Sequence, residues 1–178
     1  MNEEVVLFDE EGNATGTAAK AAVHTERTPL HLAFSCHVTD AQGSLLVTRR
    51  ALQKRTWPGV WTNAFCGHPR PGEAFEDAIG RHGAYELGLR VAAVTLAVSD
   101  FRYRAVDASG IVENEICPVY TAEAAGPLQP NPAEVMDLAW VRPQDLAAAI
   151  IHAPWAFSPW LVLQAERLHL FRTDQRPD

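Results

Sequence analysis

The nine residues from Ile111 to Val119 read Ile-Val-Glu-Asn-Glu-Ile-Cys-Pro-Val, an apolar run with two acids set into it. Side chains on a strand alternate between faces, so Glu113 and Glu115 project from the same side, about 7 Å apart. Carboxylates held this way repel each other. The arrangement persists at little cost only where a metal ion, a shared proton or a cationic substrate neutralises it. Any fold that keeps this strand must bring cations or metal ligands to one of its faces.

The same spacing recurs upstream. In Trp61 to His68, read Trp-Thr-Asn-Ala-Phe-Cys-Gly-His, Cys66 and His68 share a face if the run is extended, so a thiol and an imidazole point the same way. From Leu30 to Thr39 the chain alternates cleanly: Leu30, Leu32, Phe34, Cys36 and Val38 fall on one side, His31, Ala33, Ser35, His37 and Thr39 on the other. His31 thus leaves the apolar face, and His24 lies seven residues before it.

A chain of 178 residues with 47% apolar content fits one domain with a single sizeable core, and mixed helical and strand patterns indicate an α/β or α+β fold. The expected core runs from about residue 5 to 168, with 172–178 as a flexible tail. The net charge of −7 argues against nucleic-acid binding, because basic residues are scattered except for Arg49, Arg50, Lys54 and Arg55. That small cluster suits a compact anionic ligand. The start Met-Asn-Glu-Glu is unlike a signal peptide, and no apolar run approaches the roughly 20 residues that span a bilayer, so a cytoplasmic protein without a membrane partner is expected. Three cysteines without a Cys-x-x-Cys pair point to reduced thiols.

Turn chemistry divides the chain. Val5 to Phe8 reads as a strand, and Ala18 to Val23 fits helix or loop equally. Leu30 to Thr39 and Ser44 to Arg49 form a hairpin about Asp40-Ala-Gln-Gly. Pro58 and Gly59 put Trp57 and Trp61 on a loop. Glu73 to Leu87 reads as a helix with acids in its first turn and Gly88 as its stop, weakened by about 1 kcal/mol at each of Gly80 and Gly83, glycines that suggest a close neighbour. Strands follow at Val91 to Arg104 and Ile111 to Ala122, joined by the hairpin turn Asp107-Ala-Ser-Gly, and then at Val135 to Val141. Pro143 opens a helix through Ile151, and Ser158 caps another in which Trp160, Leu163, Arg167 and Leu168 share a stripe.

Gly67, Glu73, Arg81, Glu86 and Gly88 together resemble the Nudix box, with departures: His82 follows Arg81 where the box has glutamate, and Tyr85 precedes Glu86 where it has a second one. Those carboxylates hold metals and activate water in Nudix hydrolases, so their loss argues against diphosphate hydrolysis. With Trp57-Pro-Gly-Val-Trp-Thr-Asn, Cys66-Gly-His-Pro, Asp100-Phe-Arg-Tyr-Arg, Gly110-Ile-Val-Glu-Asn-Glu and Trp155-Ala-Phe-Ser-Pro-Trp, the chain resembles the type I isopentenyl-diphosphate isomerases from about Val5 to Leu168. The resemblance implies a single-domain Nudix-like α/β/α sandwich with a mixed sheet. It also implies interconversion of isopentenyl and dimethylallyl diphosphate in isoprenoid precursor synthesis.

Carried over position by position, the resemblance implies that His24, His31, His68, Glu113 and Glu115 hold one divalent ion, a nitrogen and oxygen shell suited to Mn2+ or Zn2+. Glu86 and the Cys66 carbonyl would take Mg2+, and Lys20, Arg50 and Lys54 the substrate diphosphate. Cys66 and Glu115 would be the proton-transfer groups, with Tyr103 hydrogen-bonded to Glu115 and the Trp160 ring facing a tertiary carbocation. Which of the two acts first as acid stays open: a thiol near a metal becomes more acidic, while a buried carboxylate is tuned upward. Trp61 and Trp160 are the expected walls of a water-excluding cavity, and His82 stays outside the expected site. No flavin is expected, since the chain lacks a Gly-x-Gly-x-x-Gly fingerprint. A monomer is the default. The competing readings are a Nudix-type diphosphate hydrolase, which would release phosphate, and a non-catalytic metal- or ligand-binding protein, which leaves Cys66 and Tyr103 unexplained.

Overall fold

Long alternating runs need two covered faces or one covered and one wet, and this chain meets that need with two sheets. The computed structural model describes residues 3–171; the expected tail lies outside them. Strands β1 (Glu4–Phe8), β2 (Ala14–Ala19), β3 (His31–Leu32), β9 (Arg102–Val106) and β10 (Val112–Ile116) form a five-stranded sheet in the order β2-β1-β3-β10-β9. The main path of the second, seven-stranded sheet runs β12 (Val135–Val141), β5 (Leu45–Arg50), β4 (Phe34–Thr39), β11 (Val119–Ala124), β8 (Val91–Val98). Its short strands β6 (Trp61–Thr62) and β7 (Phe65–Gly67) pair with β5 and β4.

Three runs expected as continuous strands are each split between the two sheets. Leu30 to Thr39 breaks at Ala33, Val91 to Arg104 breaks after Val98, and Ile111 to Ala122 breaks at Cys117 and Pro118. Proline has no N–H to give a ladder, which forces the last break. The breaks are stitched to one another by main-chain hydrogen bonds from Ala33 to Ile116 (2.9 Å), Ser35 to Pro118 (3.1 Å) and Cys117 to Phe101 (2.9 Å). The two sheets are therefore joined along one seam.

The second sheet is covered on both faces, so the alternation of β4 separates two cores instead of core from water. Phe34, Cys36 and Val38 join Ile79, Leu87 and Leu89 beneath helix α2 (Phe75–Leu87). On the other side Leu45, Val47 and Val119 pack against α3 (Pro143–His152) and α4 (Pro159–Arg167), through Leu146, Ile150, Trp160 and Leu161. This is an α/β/α sandwich. Helix α1 (Lys20–Val23) is a single turn.

Helix ends follow the local chemistry. Gly88 ends α2 in the left-handed region (φ 59°), Pro143 and Pro159 sit in the first turns of α3 and α4, and the Ser158 hydroxyl accepts from the Leu161 N–H at 3.4 Å. Gly83 meets Phe65 and the Leu89 carbonyl closely, whereas Gly80 faces open space. The expected stripe of α4 is corrected: Leu163 is exposed and Arg167 pairs with Asp100 at the surface, while Trp160, Leu161, Gln164 and Leu168 are buried. The inward face is offset by one residue because Leu161 sits against the sheet.

Gly88 combines positive φ with crowding, since a Cβ there would lie 2.8 Å from the Gln129 backbone oxygen. Gly88→Ala should lower stability by about 1–3 kcal/mol, read as a lower urea midpoint at unchanged m-value.

Candidate active site

Register places the chemistry at the seam. Glu115 on β10 pairs with His31 of parallel β3 on one side and with Tyr103 of antiparallel β9 on the other. Cross-strand neighbours share a face, and the two oxygens of Glu115 divide accordingly. Oε2 accepts from the Tyr103 hydroxyl at 2.9 Å, while Oε1 lies 3.3 Å from His68 Nε2 and 3.6 Å from His31 Nε2. Glu113 divides in the same way: Oε1 accepts from the Thr56 hydroxyl at 2.8 Å, and Oε2 lies 3.1 Å from His24 Nε2.

The donor atoms of His24, His31, His68 and Glu115 all lie within 4.8 Å of one another, with Glu113 adjoining through His24. Residues separated by as many as 91 positions along the chain are thus brought together. Three details fit a divalent cation. His31 Nδ1 donates to the Pro29 carbonyl at 2.9 Å, which aims Nε2 at the group and leaves that atom free to ligate when the ring is neutral. The Nε2 atoms of His31 and His68 face each other at 3.2 Å. His24 Nε2 is near Glu113 but out of line for a hydrogen bond, and this buried atom has no other partner.

Electrostatics follow from burial and these contacts. Burial disfavours the Glu115 charge, but the adjoining His31 and His68 imidazoles outweigh it and hold the carboxyl well below its usual range. Burial lowers His31 less than the adjoining Glu115 carboxylate and the Pro29 carbonyl together raise it, so His31 rises, whereas burial takes His68 down to about 4. Burial and the Glu115 charge keep the Tyr103 hydroxyl protonated, able to donate. Burial also pushes the Cys66 thiol up to about 12 despite hydrogen bonds with Ser35 and Asn63.

A cavity of about 660 Å³ opens onto this group. Cys66, His68, Glu115, Lys20, Arg50, Lys54 and Glu86 line it, so the sulfur, the carboxylate and the expected phosphate-binding cations meet in one space. Each lysine already has an acidic partner: Lys20 pairs with Glu3 at 2.9 Å, and Lys54 with Glu134. Arg50 donates to the Thr56 carbonyl and lies over the Trp160 ring, 5.4 Å from its centre.

The expected walls differ. Trp61 and Trp160 are not in the cavity lining; they pack in the apolar layer behind it, where Trp160 meets Trp57 and Tyr103 edgewise or tilted and its N–H donates to Asn63 Oδ1 at 3.0 Å. His82 does line the cavity, buried, with Nδ1 3.1 Å from Glu86 Oε1. Its ring fills the space over Gly67, where a Cβ would come within 2.5 Å. Thr56 is a further participant that residue patterns passed over, since a lone threonine before a tryptophan carries no periodic signal.

The entrance to α2 buttresses the loop that carries His68. Arg81 grips Glu73 through Nε (2.8 Å) and Nη2 (2.6 Å), and the same Nη2 donates to the His68 carbonyl at 3.1 Å. The Arg81 hydrogen bond holds the Glu73 carboxyl down at about 2.

The NUDIX domain pattern matches residues 29–161. The chain is 60% identical over 165 residues to the isopentenyl-diphosphate Delta-isomerase of Clavibacter michiganensis subsp. michiganensis, covering 93% of this chain and 85% of that one. It is 62% identical over 164 residues to the enzyme of that name from Agromyces mediolanus, covering 92% and 80%. Among solved structures, DR0079 from Deinococcus radiodurans superposes with a TM-score of 0.72 at 20% identity, over 94% of this chain and 99% of that one, a likeness of fold alone.

A carboxyl whose folded value lies below its unfolded value adds stability above the unfolded value and loses it as pH falls. The Glu73 contribution, on the order of 1–2 kcal/mol, should be complete above the ordinary 4.5 and vanish as pH falls toward about 2. Denaturant melts of the protein and of Glu73→Gln should differ at pH 7 and converge near pH 2.

Proposed function

The chain belongs to the isopentenyl-diphosphate Delta-isomerase family of NUDIX-domain proteins, and from that premise we infer how its own residues carry the reaction. The protein is an isomerase that interconverts isopentenyl and dimethylallyl diphosphate, a small prenyl diphosphate pair. The observation that carries the residue assignment is that Cys66 and Glu115, from different sheets, line one cavity with the cations an anionic substrate needs.

The substrate has an unactivated alkene beside a methylene. Removing a proton first would leave a carbanion with no electron sink, so protonation leads. A proton adds to the terminal CH2, a tertiary cation forms, and a proton leaves C2. Cys66 and Glu115 are the two groups in this reading. Because the reaction runs both ways, the group that gives a proton in one direction takes it in the other, and each must serve as acid and as base. Tyr103 holds one Glu115 oxygen and directs the carboxylate. Trp160 would face the cation through its ring once Arg50, which lies over that ring, turns to the diphosphate.

Lys20, Arg50 and Lys54 would bind the diphosphate, exchanging Glu3 and Glu134 for phosphate oxygens. His24, His31, His68, Glu113 and Glu115 would hold one divalent ion, Mn2+ or Zn2+, and Glu86 with the Cys66 carbonyl would hold Mg2+. When bound, these ions supply the positive charge that balances the buried carboxylates and draws in the diphosphate. The histidine and glutamate residues fit the first of these ions: their donor atoms converge, and His31 Nδ1 is held by the Pro29 carbonyl. Among the described residues, no helix is long and apolar enough to cross a membrane.

Incubation with isopentenyl diphosphate and Mg2+ in heavy water should place deuterium at C2 and C4, followed by NMR, and Cys66→Ala or Glu115→Gln should abolish that uptake. Phosphate release instead of exchange would identify a hydrolase and overturn the assignment. In calorimetric titration with Mn2+, His31→Ala should weaken binding by at least about 100-fold, and an unchanged affinity would remove His31 from the ligand set.

A further inference from the structure

On the α4 side of β4, Ser35 and His37 are buried at 0% and 2% exposure, and Gln164 of α4 reaches them at 0%. Buried polar groups that stand in an otherwise apolar layer cost free energy unless every one is paired. Here all are paired, and the pairing has a direction. Gln164 Nε2 donates to Ser35 Oγ at 2.8 Å, and its Oε1, an acceptor, stands 2.9 Å from His37 Nε2, which must then carry the proton. Ser35 Oγ lies 3.2 Å from Cys66 Sγ and 3.5 Å from Cys117 Sγ. The oxygen accepts from Gln164 and can accept from the Cys117 thiol as well, an arrangement that leaves its hydrogen for Cys66.

The other neighbour of the sulfur cannot take that part. Asn63 Oδ1, 3.4 Å from Cys66 Sγ, is an acceptor already serving Trp160 and Thr62, and Asn63 Nδ2 is spent on the Cys36 and Phe65 carbonyls. Register explains the choice of Ser35: it pairs directly with Cys66 across β4 and β7, so their side chains are neighbours. Gln164 lies one turn beyond Trp160, on the same face of α4.

We propose that Ser35, oriented by Gln164 and His37, is a positioning residue that donates a hydrogen bond to the Cys66 sulfur and supports it through proton transfer. The proposal rests on the reading of Cys66 as a proton-transfer group. When Cys66 gives up its proton, the S–H bond breaks, the alkene π pair forms the new C–H bond, and the S–H electron pair stays on sulfur, which then bears a negative charge. Ser35 is the hydroxyl that meets this charge among the described residues, and a hydrogen bond to a charged acceptor is among the stronger kinds. In the reverse direction the same bond holds the sulfur aimed at the carbon it deprotonates.

The test is a double-mutant cycle on the metal-loaded enzyme with isopentenyl diphosphate. Ser35→Ala should lower kcat by about 10- to 100-fold with KM unchanged. Gln164→Leu, which frees the hydroxyl to rotate, should cost less, and the double variant should lose no more than Ser35→Ala alone. Additive losses would mean separate packing roles and overturn the proposal, as would an unchanged kcat in Ser35→Ala. A second readout needs no turnover: the Cys66 S–H infrared band, identified by its absence from Cys66→Ala, should shift in folded Ser35→Ala, and a band that stays in place overturns the proposal. Failure of the underlying reading looks different, because Cys66→Ala would then keep its isomerase activity whatever the Ser35 variants do.

Discussion

A charged carboxylate on a strand paired on both sides is the constraint around which the rest is arranged. Glu115 is only 4% exposed, and an unpaired buried charge costs several kcal/mol. The structure meets that cost by surrounding it: His31 and Tyr103 flank it by register, and His68 arrives from β7's end. None of these partners is near in sequence. The ionised carboxylate is tolerable only after β3, β7, β9 and β10 have all joined, so completing the fold and completing the site are one event.

The seam between the sheets makes this assembly possible. A strand that remained in one sheet would present its face to one layer throughout. By changing sheets at Ala33, the segment from His31 to His37 gives an imidazole to the polar group and, four residues on, a hydroxyl to the sulfur. The break at Cys117 and Pro118 does the same for β10 and β11, so Glu115 faces the cavity while Val119 goes to the core. Polar chemistry and apolar packing share chain segments but not layers.

This explains what could be read beforehand. Paired faces such as Glu113 with Glu115 and Cys66 with His68 follow from the two-residue period alone. The ends of α2, α3 and α4 follow from Gly88, Pro143 and Ser158 with Pro159. The split at Ala33 did not follow, because alternation runs unbroken through it and only the main-chain bonding changes, whereas Pro118 was a visible mark of the last split. Gln164 was hidden because the stripe drawn through Leu163 and Arg167 was one residue out of phase, and polar character argues for the surface unless a partner such as Ser35 is known. His82 was hidden for a related reason: its burial depends on the space that Gly67 leaves open, a contact between positions 15 residues apart.

The difference between isomerisation and hydrolysis on this scaffold comes down to where acids stand. Hydrolysis of a diphosphate needs carboxylates along α2 to hold metals and to activate water beside phosphorus. Here α2 turns His82, Tyr85 and Glu86 to the cavity, a single carboxylate, and Glu73 is engaged by Arg81 in holding the His68 loop. The cluster of imidazoles and carboxylates lies instead at the seam with Cys66, while Lys20, Lys54 and Arg50 line the same cavity. Under the proposed assignment, a diphosphate among those cations would direct its hydrocarbon end toward Cys66 and Glu115, and its phosphorus would meet Glu86 as the one carboxylate that α2 turns to the cavity.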